Sequence, residues 1–96
     1  MTTNFDFSKN QLRSVAALIN FADENNLDLD DVQEIGYNNR SGNVYIAFED
    51  GLNIYLFEGR SDIDQICFLR YDHIIEEEIE YDNLKDAIDD IRLCEI

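Results

Sequence analysis

Ninety-six residues carrying 22 acidic against 7 basic side chains have a formal net charge of -15, which opposes attraction to nucleic acid or an anionic leaflet and favours a basic partner. An apolar fraction of 45% that includes 6 Phe and 5 Tyr suffices for one modest core, and it is too aromatic for a disordered acidic chain. No charged leader runs into an apolar stretch and no run approaches the length of a membrane span, so a cytoplasmic location is expected.

The first predicted element is a helix. Ser8-Lys9-Asn10-Gln11 has the spacing of a capping box, with Phe5 or Phe7 available as an apolar staple outside it. Leu12, Val15, Ala16, Ile19 and Ala22 then recur at three and four and form the expected sheet-covering stripe, which Leu18 and Phe21 widen. The helix is expected to end near Glu24 or Asn25. A polar turn follows, with Leu27 and Leu29 as anchors, and leads into a strand over about Val32 to Tyr37 with Ile35 and Tyr37 on one face. Asn38 to Gly42 reads as a loop.

Asn43 to Glu58 is the clearest stretch. Val44, Ile46 and Phe48 alternate, Asp50-Gly51 interrupts, and Leu52, Ile54 and Leu56 resume the two-residue period. This predicts a hairpin with a two-residue type I′ turn. The intervening Tyr45, Ala47, Tyr55 and Phe57 are also apolar or aromatic, so a central position with partial cover on the second face is expected. A further connection at Gly59 to Asp62 leads into a strand over Asp64 to Tyr71, in which Ile66 and Phe68 oppose Cys67, Leu69 and Tyr71.

From Asp72 to Ile96 the composition changes to ten acids and two bases, together with the only histidine, His73. Asp72 to Glu80 reads either as a polar loop or as a short strand pinned by Ile74, Ile75 and Ile79. Asp82 is placed to cap a terminal helix whose apolar face is Leu84, Ala87, Ile88, Ile91 and Cys94, with Lys85 and Asp89 as an i,i+4 pair. The expected fold is therefore α+β, a single acidic domain over residues 1–96, with an antiparallel four-stranded meander packed by N-terminal and C-terminal helices.

Little in the sequence points to catalysis. Carboxylate pairs are too abundant to be diagnostic, since acid-base pairs need fixed separation and unequal pKa values. Asp28, Asp30 and Asp31 lack the central glycine and twelfth-position glutamate of an EF-hand, and Asp62 with Asp64 is equally incomplete. Cys67, Cys94 and His73 lack zinc-ligand spacing, and the two cysteines read as buried free thiols. No phosphate loop is present, and no cofactor or metal is expected.

The charge itself carries the functional expectation, a non-enzymatic inhibitor whose rigid carboxylates occupy the nucleic-acid site of a basic enzyme. The residues assigned to that contact are Glu76, Glu77, Glu78, Glu80, Tyr81, Asp86, Asp89 and Asp90. Carboxylates attract Lys and Arg and speed association, while a tyrosine supplies an aromatic anchor. In size and acidity alone the chain looks like immunity proteins that neutralise toxic nucleases, and like DNA-mimic inhibitors of restriction or CRISPR nucleases. No family motif carries that likeness to individual residues. The alternative is a regulatory or structural adaptor that dimerises through the outer sheet face or an edge.

Overall fold

In a computed structural model that describes residues 7–94, without the Cys94 side chain, the order is α1 (Lys9–Glu24), a 3-10 turn (Leu29–Asp31), β1 (Val32–Asn38), β2 (Asn43–Phe48) and β3 (Leu52–Phe57). A second 3-10 turn (Ile63–Gln65), β4 (Cys67–Asp72), β5 (Glu77–Tyr81) and α2 (Leu84–Cys94) complete it. Phe5 as a staple and Cys94 as a core thiol lie outside the described residues. All strands are antiparallel neighbours in sequence order, β1-β2-β3-β4-β5. The sheet thus has one strand more than the four expected. Glu77–Tyr81 pairs with β4 from Asp72↔Glu77 to Phe68↔Tyr81, and its charged composition is that of an edge strand protected from further pairing.

α1 starts as its sequence dictates. The Ser8 hydroxyl accepts from the Gln11 amide at 3.1 Å, the Gln11 side chain accepts from the Ser8 amide at 2.9 Å, and the helix closes at Asn25. Its buried stripe is rotated from the expected one, being Ser14, Val15, Leu18, Phe21 and Ala22, while Leu12 is 51% exposed and Ala16 is also outside. The cause is Ser14. Its fully buried hydroxyl lies 2.9 Å from the Phe57 carbonyl and 2.8 Å from the Arg60 carbonyl, so a polar side chain centres the helix on the chain leaving β3. The Gly59 amide adds a 3.0 Å bond to the Asn10 carbonyl.

The hairpin is present, but its turn is not type I′. Asp50 keeps a negative φ, and only Gly51 is left-handed, at φ +98. Glu49, Asp50 and Gly51 form a three-residue loop closed by the Gly51 amide on the Phe48 carbonyl at 3.0 Å. The Asp50 carboxylate accepts from the Leu52 amide at 3.1 Å, a local closure that a short acidic side chain supplies. A bulge between Val32 and Glu34 in β1 lets Val32, Ile35 and Tyr37 share the face of Phe48, Ile46 and Val44.

That face is the core. Val44, Ile46, Ile54, Leu52 and Leu56 are essentially inaccessible and join Leu18, Ala22, Phe68, Ala87 and Ile91 in one apolar cluster. α1 lies against β2 and β3, and α2 against β4 and β5. Leu27 and Leu29 pack at the margin of the same cluster, and Phe7 meets Tyr37 edge-on at 5.9 Å between ring centroids.

Ser14→Ala leaves a buried carbonyl without its donor, so it is expected to cost about 1–2 kcal/mol despite the better helix propensity of Ala. Urea unfolding followed by circular dichroism measures it, and an unchanged or higher midpoint would contradict the role given to the hydroxyl.

Candidate partner-binding surface

The eight assigned residues fall in three environments. The first is the β4–β5 hairpin and its turn. The Asp72 carboxylate accepts from the Ile74 amide at 2.9 Å and the Ile75 amide at 3.4 Å, and Glu76 sits in the left-handed region at φ +55. The strand alternative holds, pinned by Ile79 in β5, whereas Ile74 and Ile75 are at the turn, where Ile74 is 93% exposed. Beyond the turn, strand alternation divides the acids. Glu78 and Glu80 lie opposite Tyr71 and Leu69 on the outer face, while Ile79 and Tyr81 pair with Arg70 and Phe68 on the helix side.

The second environment is built around Arg70. Its guanidinium lies 3.0 Å from the Asp90 carboxylate and 3.7 Å from that of Asp72, and its Nε donates to the Tyr81 hydroxyl at 3.1 Å. The Tyr81 hydroxyl in turn donates to Asp90 through a short bond. Tyr81 and Asp90 are therefore brought together, but around an internal cation whose side chain is only 12% exposed. The cluster ties α2 to β4 and β5. Asp90 is held below the usual carboxylate range, first by the Tyr81 hydroxyl and then by Arg70. Burial, followed by the bond to Asp90, pushes the Tyr81 phenol up, and Arg70 opposes that rise.

The third environment is the solvent side of α2. Asn83, rather than Asp82, caps the helix: its carbonyl oxygen accepts from the Asp86 amide at 2.9 Å and its side-chain amide donates to the Asp86 carboxylate at 3.2 Å. The neutral amide can both accept and donate here, which ionised Asp82 cannot. Asp89 forms the expected pair with Lys85 at 2.7 Å, and that carboxylate raises the lysine pKa. Asp86 and Asp89 thus lie on the opposite side of the molecule from Glu78 and Glu80, and no single patch contains all eight residues.

Sequence reasoning gives the outer face of the sheet to the adaptor alternative. Tyr45 and Tyr55 are direct cross-strand partners there. The Tyr55 hydroxyl bonds to Glu80 at 3.3 Å, and Glu34, opposite Ala47, neighbours Tyr45 on the other side. Both phenols are pushed up, Tyr45 by burial and then Glu34, Tyr55 by burial and then Cys67 and Glu80. The groove over this face has a volume of about 470 Å³ and includes Asn43, Asn53 and Glu78; among the described residues no basic side chain lines it. The alternate positions of the central hairpin were its sequence signal.

Cys67 belongs to this outer face and is exposed, so its expected burial is corrected. It pairs with Tyr55 in the sheet, where no helix covers it, because Ile66 and Phe68 take the buried positions on either side. Among the described residues, no group of three or more His, Cys, Asp or Glu is placed to hold a metal ion, and no helix is long and apolar enough to cross a membrane. The Asp28 carboxylate accepts from the Asp30 amide at 2.9 Å and starts the first 3-10 turn. In comparisons with known proteins, the chain matches no family model, no curated protein and no solved structure.

The lowered Asp90 pKa fixes a sign. Its stabilising contribution is complete above the ordinary aspartate value of about 3.9 and is lost as pH falls through the lowered folded value. Asp90→Asn is therefore expected to be less stable than the parent near neutrality, with the difference shrinking below about pH 4. Urea midpoints across that range measure it, and a gap that widened on acidification would contradict the cluster. Tyr81→Phe is expected to cost about 1–2 kcal/mol at neutral pH by the same assay.

Proposed function

We propose that the chain is a non-enzymatic cytoplasmic inhibitor that binds a basic nucleic-acid enzyme and occupies the site meant for phosphates, in the manner of a DNA mimic, an anti-restriction or anti-CRISPR protein, or a nuclease immunity protein. The observation that carries this reading is that acidity is displayed on paired backbone rather than on a free tail. Glu77, Glu78 and Glu80 occupy β5, hydrogen-bonded to β4. By strand alternation Glu78 and Glu80 share the outer face about 7 Å apart and Glu77 takes the other face with Ile79 and Tyr81. One face of β5 thus carries about half the linear charge density of one strand of B-form DNA, which has one charge per about 3.4 Å.

Glu76 adds support. A left-handed backbone costs a residue with a Cβ roughly 1–2 kcal/mol, and glycine would remove that cost along with the charge. Asp86 and Asp89 form a second acidic surface on α2, on the opposite side of the molecule from Glu78 and Glu80, while Tyr81 and Asp90 act mainly through Arg70 in holding α2 against the strand. Fixed carboxylates facing Lys and Arg give rapid, salt-sensitive association.

The adaptor reading draws on the uncovered outer sheet face, where Phe57 is 54% exposed. Two copies each at -15 repel one another, so a homodimer would strengthen with salt while capture of a basic partner weakens.

The test is affinity capture from host lysate at about 0.05 M and about 0.5 M salt, with bound proteins identified and duplex DNA added as competitor. The expected result is a basic nucleic-acid enzyme retained at low salt and displaced by DNA. A partner held equally at high salt and indifferent to DNA, or a salt-strengthened dimer alone, would overturn the inhibitor reading. For Glu76→Gly the expectation is a gain of about 1 kcal/mol in stability together with weaker capture of that enzyme. A gain in both would remove Glu76 from the contact.

A further inference from the structure

The two sides of the sheet differ in what they leave unmatched. On the helix side, Arg70 is surrounded by Asp72, Tyr81 and Asp90. On the outer side, Tyr45 and Tyr55 stand side by side between two carboxylates, Glu34 of β1 beyond one and Glu80 of β5 beyond the other, with no cation among the described residues lining the groove. We propose that this outer face is the docking surface for a basic segment of the partner protein, with an arginine side chain laid over Tyr45 and Tyr55 and its guanidinium held by Glu80 or Glu34. The proposal rests on the inhibitor reading for the class of partner and deepens it by naming the contact surface.

Three properties select this occupant. Tyrosine rings present a negative face to a cation, and a planar guanidinium stacks on such a face while its fork bonds a carboxylate at the ring edge. The hydroxyl bond from Tyr55 orients the Glu80 carboxylate across the groove, and that carboxylate has lone pairs beyond the one used. Asn43 and Asn53, also on this face, carry both donors and acceptors and suit the backbone of an extended segment crossing the sheet. A second copy of the chain fits poorly, since each brings a charge of -15 and the same uncompensated glutamates to the contact.

The test uses the full chain and, as probe, a nine-residue peptide of alternating arginine and serine, with a lysine-serine peptide of equal charge as its control. Binding is followed by nitrogen-edited NMR and calorimetry at about 0.05 M salt. The expected result is saturable shift changes centred on Tyr45, Asn53, Tyr55 and Leu69, with the arginine peptide bound several-fold more tightly than the lysine one. Glu34→Gln with Glu80→Gln is expected to weaken the arginine peptide by roughly tenfold, whereas Asp86→Asn with Asp89→Asn, an equal change of charge on the far side, weakens it less than about twofold. Both pairs replace exposed or half-buried side chains with near-isosteric amides, so their folding can be checked by the same spectra. Equal losses from the two pairs, equal affinity for the two peptides, or shifts centred on α2 would overturn the proposal.

The same variants separate it from the inhibitor reading. If the captured enzyme is lost with the α2 pair and kept with the outer-face pair, inhibition stands and the docking surface is wrong. If the arginine peptide binds the outer face as described while no nucleic-acid enzyme is captured, the surface stands and the inhibitor reading is wrong.

Discussion

Mutual repulsion among carboxylates is the constraint that the C-terminal half of this fold must satisfy, and Arg70 is the interaction that satisfies it. β5 and α2 are both acidic and each adjoins the other, and α2 reaches the core mainly through Ala87 and Ile91. A single guanidinium on β4, 12% exposed, reaches Asp72 in its own strand and Asp90 in α2, and receives the Tyr81 hydroxyl from β5. Such a cluster is strongly coupled: removing the cation would leave two carboxylates facing each other in a partly buried site. The N-terminal half depends instead on apolar burial and on one buried hydroxyl, that of Ser14, which fastens α1 to the end of β3.

Strand alternation then separates stability from display. One face of β2 and β3 carries Val44, Ile46, Leu52, Ile54 and Leu56 into the core, and the other carries Tyr45, Asn53, Tyr55 and Phe57 outward. The same period continued through β4 and β5 sends Cys67, Leu69, Glu78 and Glu80 to the outer face. The molecule therefore has a closed apolar side covered by helices and an open side of tyrosines, amides and carboxylates. Substitutions on the open side are expected to have little effect on the core, because neither α1 nor α2 rests on it.

Elements governed by local rules were legible in the sequence. The capping box at Ser8 and Gln11, the end of α1, the β2–β3 hairpin and the Lys85–Asp89 pair follow from spacing alone. What escaped depended on tertiary partners. The burial of Ser14 is set by carbonyls more than forty residues away in sequence. β5 reads as either polar loop or short strand because an edge strand needs only two inward residues, and only pairing with β4 decides for the strand and makes Ile79 and Tyr81 those residues. Of the candidate site, the acids were visible but not their division, since parity along β5 and rotation about α2 decide which face each carboxylate takes. Arg70 had no sequence signal that set it apart, and the Tyr45–Tyr55 pair was visible only as alternation.

The central claim is that the acidic hairpin is a fixed platform. Backbone order parameters from nitrogen-15 relaxation test it most directly at Glu76 to Tyr81, compared with the β2–β3 hairpin in the same sample. The account predicts values near about 0.85 through β5, as for rigid backbone, held there by β4 and by Arg70. Values below about 0.6 across Glu77 to Glu80 would show a flexible acidic segment and contradict a preformed imitation of the phosphate backbone.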